Sequence, residues 1–453
     1  MARKPSLTGF PEWLPAERVV EQHVLDTLRR IFELHGFSNI ETRAVETVGQ
    51  LLRKGEIDKE VYGVSRLQDD AAAKDDANAL ALHFDLTVPF ARYVVENAGY
   101  LQFPFRRYQM QKVWRGERPQ DGRFREFTQA DVDIVGDGTL PFRYDVELAL
   151  VIAEALSALE LGDFRLRVNN RKLSEGFYRG LGIEDTASVL RAIDKLEKIG
   201  AAKVSEELQA DGLSEEQAAK ALALASIRAS DGSFVEAVRE LGVEHPLLEE
   251  GLDELRQVVE AAAVAAPGRV IADLSIARGL DYYTGTVYET VLVGHEKLGS
   301  ICSGGRYESL ASNGKKTFPG VGLSIGVSRL VSRLLAEGTL VASREVPTAV
   351  LVALPNDGEW LRAQEVARQL RGRGISTEVM ATAEKFGKQI KHADRRGIPF
   401  VWFLGEHGAS DTVKDIRTGE QLEAAAETWV PPLEDLVPTV TPAAQAGDAA
   451  VGH

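Results

Sequence analysis

Hydrophobic and polar positions recur along this chain with two different periods, and each change of period marks an element. From Pro15 to His35 the residues Val19, Val20, Val24, Leu25, Leu28, Ile31, Phe32 and Leu34 fall at helical spacing and stop at Gly36, which predicts an amphipathic helix. Residues 37–48 read as a strand and turn, and the charged, alanine-rich DDAAAKDDAN at 69–78 reads as an exposed loop. From Leu80 to Val88 the period drops to two. Leu80, Leu82, Phe84, Leu86 and Val88 take one side, and Ala81, His83, Asp85 and Thr87 the other. That predicts a half-buried strand whose wet face carries an acid and a hydroxyl, followed by a helix from Pro89, where proline suits the first turn.

Residues 105–136, FRRYQMQKVWRGERPQDGRFREFTQADVDIVG, read as two strands joined by a charged loop with Pro and Asp-Gly turn signals. On the second strand Phe127, Gln129, Asp131 and Asp133 share a face too polar for core, while Thr128, Ala130, Val132 and Ile134 share the packing face. A solvated hairpin is the ordinary explanation of such a pattern. Between Arg106 and Arg125, however, seven Lys or Arg residues stand against two acids, beside carboxylates, an amide and an aromatic. That mixture suits an anionic ligand with a polar head.

Further along, 141–159 predicts a helix, 166–169 a short strand, and 185–265, rich in Ala, Leu, Glu and Lys with repeated Gly stops, an all-helical insertion. Strand signals resume at 269–273 and 286–293. The glycine-rich pieces SICSGGRY (300–307) and GVGLSIGVSRL (320–330) follow, the latter leading into a helix with Arg329. After Pro347, apolar strands at 350–354, 376–379 and 399–404 alternate with helices at 359–371 and 384–396, which predicts a small, largely parallel α/β domain. Its second helix carries Lys385, Lys388, Lys391, His392, Arg395 and Arg396; a solvated face and an RNA contact explain these equally well. The Ala-, Pro- and Gly-rich residues beyond Pro438 predict disorder.

Composition narrows the class. With 453 residues, 44% hydrophobic and 27% charged, the chain suits two or three soluble globular domains. A lone cysteine, Cys302, excludes an intramolecular disulfide framework and a multi-cysteine zinc site, and fits a reducing cytosol. No apolar run reaches membrane-spanning length and the start lacks the apolar core of a signal peptide, so a cytoplasmic location is expected. The net charge of -15 gives no bulk grip on nucleic acid. Any RNA contact must be local, because exposed charges beyond about 10 Å are screened at ordinary salt.

The candidate chemistry is that of arginines. Arg115, Arg123, Arg278 and Arg329 lie in separate segments, each near a turn, a strand end or a glycine-rich piece. Converging on one cleft, they would serve a polyphosphate, because a guanidinium stays charged and grips phosphate oxygens in a fork. No P-loop and no HExxH is present. GLSIG at 322–326 has the form GxSxG with Ser324 at the nucleophile position, but no HGGG-type oxyanion segment lies upstream, and a close-packed strand is the better reading. What remains is chemistry by positioning and charge neutralisation.

ARGLDYYTG from Ala277, SGGRYESL from Ser303 and GVGLSIGVSRL from Gly320, with FDLTVPFARY from Phe84 and the hairpin, closely resemble histidyl-tRNA synthetases, which are class II aminoacyl-tRNA synthetases. The resemblance runs in order across most of the chain. It implies an α+β fold: a class II antiparallel sheet flanked by helices, with a helical insertion and a C-terminal α/β anticodon-binding domain. The expected layout is 1–170 and 267–340 for the catalytic domain, 171–266 for the mostly helical insertion, 345–435 for the anticodon-binding domain and 436–453 for a disordered tail.

By the same resemblance, Arg115 would hold the α-phosphate and the histidine carboxylate, and Arg278 would bridge the same two groups, making these the catalytic pair. For ATP, Glu117 would contact adenine, Phe127 would stack on it, Arg123 would reach the outer phosphates and Arg329 the γ-phosphate. For histidine, Asp85, Thr87 and Gln129 would bind the α-ammonium group. Asp133 and Tyr283 would bond the imidazole, with Tyr282 lining the pocket. The implied activity is histidine–tRNA ligation through an adenylate, with ATP as substrate, Mg2+ on its outer phosphates, tRNA(His) as partner and a homodimer as the assembly. A non-catalytic histidine-binding regulator on the same fold is the alternative. Arg43 stands where the family usually has proline in motif 1, and Ser328 where an acid commonly precedes the motif 3 arginine.

Overall fold

The computed structural model describes residues 7–52, 60–67, 78–119, 122–277, 282–406 and 409–442. The chain divides into two compact units, 1–11 with 24–333 and 12–23 with 334–453.

The first unit is built on a nine-stranded sheet. Its strands run Ser38–Asn39, Phe105–Trp114, Glu126–Val135, Gly320–Gly326, Cys302–Tyr307, Tyr283–Leu292, Phe164–Asn170, Val270–Asp273 and Arg228–Ala229 across the sheet. Only two of the pairings are parallel, Ser38–Asn39 with Phe105–Trp114 and Phe164–Asn170 with Val270–Asp273. The hairpin at 105–135 therefore sits inside an antiparallel sheet, paired on its far side to a strand about 200 residues later.

One face of the sheet is apolar. Ala130, Val132 and Ile134 are fully buried there, and the helix Arg143–Ser157 packs against the strand Gly320–Gly326 with Leu148, Val151, Ile152 and Leu156 buried. The helices Arg171–Gly180 and Pro246–Ala265 pack in turn through two glycines. A Cβ on Gly176 would lie 2.2 Å from the Leu248 nitrogen, and one on Gly251 would lie 2.2 Å from the Leu173 nitrogen. Only glycine lets the two backbones approach so closely.

Between 171 and 265 the elements are helical except for Arg228–Ala229, which adds an edge strand beside Val270–Asp273. The period-two stretch at 80–88 does not form one long strand. Leu80–Leu82 is a strand of a small three-stranded sheet, and the helix Thr87–Asn97 begins two residues before Pro89. Leu80 is half exposed while Ala81, His83 and Asp85 are buried, so the expected apolar and wet sides are not kept. The helix start takes over because Asp85 Oδ1 accepts the Val88 N–H at 3.1 Å, satisfying a first-turn donor. The charged loop expected at 69–78 lies, but for Asn78, outside the described residues.

The second unit holds a five-stranded sheet in the order Thr377–Val379, Val350–Ala353, Phe400–Phe403, Thr412–Asp415, Gln421–Glu423. The first three strands are parallel, as the alternation predicts, and the last two add an antiparallel hairpin that it did not. Val350, Val352, Trp402, Val366 and Leu370 share its core. Buried Gln389 on the helix Phe386–Arg395 bonds both the N–H and the carbonyl of Leu354 at 2.8 Å, locking helix to strand end. Lys385, Lys388, Lys391, His392 and Arg395 are exposed on that helix, whereas Arg396 is held by Glu378 at 2.5 Å. Against the disorder expected from 436, Val440–Pro442 pairs with Leu340–Ala342, its extended backbone finding ladder partners, and 443–453 lie outside the described residues. No helix among the described residues is long and apolar enough to cross a membrane.

Candidate active site

The register of the sheet brings its polar side chains into rows. Arg107, Asp133, Gly322 and Gly305 stand in one row, and Gln109, Asp131, Ser324 and Ser303 in the next. Gln111, Gln129 and Gly326 follow. The glycines make room for their larger neighbours. A Cβ on Gly322 would lie 1.9 Å from Asp133 Oδ1, one on Gly305 would lie 2.9 Å from the Tyr283 ring, and one on Gly320 would lie 2.5 Å from the Tyr307 ring.

The face expected to be wet is enclosed: Gln129, Asp131 and Asp133 are 7%, 2% and 2% exposed. Burying carboxylates requires partners. Asp133 pairs with Arg107 at 2.7 Å and accepts the Tyr307 hydroxyl at 3.0 Å, while Arg107 lies 4.1 Å over the Phe90 ring. Asp131 is less well served, and burial pushes its carboxyl up to about 7, opposed by Arg107 and reinforced by Asp133 and Asp85.

At one end of these rows opens a cleft of about 260 Å³, lined among others by Arg115, Glu117, Arg123, Phe127, Gln129 and Arg329. The strand Glu126–Val135 supplies Phe127 and Gln129, the hairpin loop supplies Glu117 and Arg123, and the helix Val327–Glu337 supplies Arg329. Arg115 Nε donates to the Phe84 carbonyl at 3.0 Å and its guanidinium lies 5.1 Å over the Phe127 ring. Arg123 meets Glu117 at 3.0 Å. Arg329 donates to the carbonyls of Gly122 at 3.3 Å and Ser300 at 2.5 Å, tying the hairpin loop to the glycine-rich segment. Three cations are thus braced in one cleft, and Arg115 and Arg329 are held by backbone carbonyls, which fixes their forks in advance.

Ser328 takes a structural task. Its buried hydroxyl accepts the Thr128 N–H at 2.8 Å, fastening the start of the Arg329 helix to the second hairpin strand. Arg43 meets the buried Glu46 at 3.1 Å, beside the Arg92–Glu46 pair at 2.8 Å. Ser324 lies within a strand, not at a strand-to-helix elbow, and accepts from Gln129 Nε2 at 2.6 Å.

All five ATP candidates in the described residues, Arg115, Glu117, Arg123, Phe127 and Arg329, share the cleft with Gln129. Asp85, Thr87, Asp133, Tyr282 and Tyr283 do not line it. Asp85 is buried at the start of the helix that Thr87 opens, and the Tyr282 and Tyr283 rings lie 4.2 Å apart. Burial raises the Tyr283 phenol well above its usual range, so it is a neutral hydrogen-bonding group. Arg278 lies outside the described residues.

The site also holds residues that the sequence reading passed over: Arg107, Tyr307 and the paired role of Gly322. Arg107 could have been found by carrying the period of two onto the first hairpin strand, where it shares a face with Gln109 and Gln111. Among the described residues, no group of three His, Cys, Asp or Glu side chains is arranged to hold a metal ion.

An antiparallel sheet with buried carboxylates and a cleft of arginines, in a chain that also holds a separate α/β unit, is the arrangement that the resemblance to class II aminoacyl-tRNA synthetases implied. Residues 9–330 match the histidyl-tRNA synthetase family and residues 349–435 match the anticodon binding domain. The chain belongs to the histidyl-tRNA synthetase family. It is 70% identical to the histidine--tRNA ligase of Micrococcus luteus, over 97% of this chain and 99% of that one. The crystal structure of histidyl-tRNA synthetase from Nostoc sp. PCC 7120 superposes with a TM-score of 0.82 at 39% identity, covering 94% of this chain and 98% of that one. An ATP phosphoribosyltransferase regulatory subunit/histidyl-tRNA synthetase from Bacillus halodurans C shares the fold, with a TM-score of 0.71 over 86% of this chain and 96% of that one, at 22% identity.

Proposed function

We propose that the protein ligates L-histidine to tRNA(His) in two steps. The histidine carboxylate attacks the α-phosphorus of ATP in line and pyrophosphate leaves; the terminal adenosine hydroxyl of the tRNA then attacks the adenylate carbonyl and AMP leaves. The observation that carries this reading is the single cleft in which Arg115, Arg123 and Arg329 stand with Glu117, Phe127 and Gln129. A regulator that only binds histidine would need the carboxylate floor but not three braced cations.

Arg115 neutralises charge developing at the α-phosphate, with Arg278 as its counterpart, and acts without reorganisation because the Phe84 carbonyl already holds it. Phe127 stacks on adenine, Glu117 contacts its edge, and Arg123 and Arg329 take the outer phosphates. Asp85, Thr87 and Gln129 receive the α-ammonium group. Asp133 and Tyr283 bond the imidazole, with Tyr282 at the pocket wall. Magnesium would arrive with ATP on its outer phosphates, held mainly by ATP itself, and would neutralise charge there. The protein acts in the cytoplasm as a homodimer, and the 345–435 module, with its exposed basic helix, meets the tRNA.

The test is histidine-dependent exchange of pyrophosphate into ATP, followed by charging of tRNA(His). Folded protein that binds histidine but shows no exchange would leave the regulator as the reading. Asp133→Ala should weaken histidine binding at least about tenfold, because a site built to hydrogen-bond its ligand loses that bond and leaves Arg107 unpaired.

A further inference from the structure

One buried carboxylate stands among the groups of the floor without lining the cleft. Asp131 lies between Gln129 and Asp133 on the same face of its strand and is 2% exposed. Its Oδ1 has no hydrogen-bond partner among the described residues. Directly across the ladder stands Ser324, at a pairing that sets Cβ atoms roughly 4.5–5.5 Å apart, so its hydroxyl can turn toward the Asp131 carboxyl. The same hydroxyl oxygen accepts a 2.6 Å bond from Nε2 of Gln129.

This three-membered chain has a direction. An ionised carboxylate can only accept, and a serine hydroxyl has one proton to give. When that proton goes to Asp131, Ser324 offers Gln129 only a lone pair, so Gln129 must turn its NH2 toward the serine. The atom left over is Gln129 Oε1, buried, with no partner among the described residues, on a side chain that lines the cleft. In the reverse arrangement the leftover group would be the NH2. The direction of the chain therefore decides whether the site meets an amino-acid ammonium group with an acceptor or with a competing donor.

We propose that Asp131 is a positioning residue for amino-acid recognition: acting through Ser324, it sets the Gln129 amide with its carbonyl oxygen available to the ligand's α-ammonium group. The inference rests on the reading of Gln129 as an ammonium acceptor, and it extends that reading to two residues behind it. Burial raises the Asp131 carboxyl to about 7, so the acceptor-only form prevails at pH 8.

The experiment is calorimetry on the full chain at pH 8 with three ligands: histidine, histidinol, and imidazolepropionate, which keeps the ring and carboxylate but lacks the ammonium group. In Asp131→Asn the new NH2 can donate to Ser324, whose proton then turns to Gln129 and reverses the amide. Histidine and histidinol should bind about ten- to a hundredfold more weakly, the range of a lost bond to a charged group, while imidazolepropionate binding stays unchanged. Ser324→Ala removes the relay and should give the same pattern, and it carries the test alone if Asp131→Asn fails to fold. Unchanged histidine affinity in these variants, or equal losses for all three ligands, would overturn the proposal. Gln129→Ala separates the two layers. If it spares ammonium-dependent affinity, the reading of Gln129 fails; if it removes that affinity while the Asp131 and Ser324 variants do not, only the positioning role fails.

Discussion

Gly322→Ala adds one methyl group at the tightest point of the candidate site. The new Cβ would lie 1.9 Å from Asp133 Oδ1 and 2.4 Å from its Cγ, far inside contact distance. Asp133 cannot swing aside at small cost, because Arg107 holds it at 2.7 Å and the Tyr307 hydroxyl at 3.0 Å. Moving the carboxylate breaks a buried pair and strands the Arg107 charge, which costs about 3 to 5 kcal/mol. Moving the backbone instead disturbs the ladder between Glu126–Val135 and Gly320–Gly326, in which Gly322 is paired to Asp133. Either way, denaturant unfolding should register the loss, and the histidine KM in the exchange assay should rise more than about a hundredfold, the factor equivalent to 3 kcal/mol. Gly326→Ala, on the same strand, is the internal comparison. Its Cβ would meet its nearest neighbours, Arg329 Cβ and the Ile301 carbonyl oxygen, at 3.7 Å, so stability should hold. If Gly322→Ala keeps both its stability and its histidine KM, or if Gly326→Ala is equally destabilising, the close-packing argument is wrong.

Three further outcomes follow from the same geometry. The Asp131 carboxyl titrates near 7 in the folded protein against about 3.8 in an unfolded chain. The native state therefore holds its proton longer, and the cost of the buried charge is absent below about pH 4, grows toward pH 7 and is constant above it. Asp131→Asn should gain stability over wild type along that window, to a ceiling of roughly 4 kcal/mol at pH 8, while binding histidine less well; a pH-independent difference in urea unfolding would contradict it. Ser328→Ala leaves the Thr128 N–H without its acceptor and should cost about 1 to 3 kcal/mol, raising the ATP KM more than the histidine KM because Arg329 is the next residue. Arg115→Lys keeps the charge but loses the fork and the packing over Phe127, so single-turnover adenylate formation should slow by about a hundredfold; a rate within threefold of wild type would remove Arg115 from the α-phosphate.

Much of the site was legible wherever the signal was local. The period of two at 126–135 placed Gln129, Asp131 and Asp133 on one face without any partner strand in view, and they share it. The same period misled at 80–88, because alternation cannot register that a carboxylate at Asp85 can satisfy a first-turn N–H and let a helix begin. The hairpin at 412–423 went unread since its second strand is three exposed residues with no apolar face to announce it. What no local pattern could supply is the environment of a face. Whether Asp131 meets water or walls depends on Ser324 and Gly322, nearly 200 residues away, and those positions look from the sequence like small residues of a close-packed strand. Their smallness has two causes: Gly322 leaves space that Asp133 fills, and Ser324 leaves a hydroxyl that Gln129 uses. The glycine-rich segment is thus the complement of the hairpin, and neither half discloses its chemistry until the register pairs them.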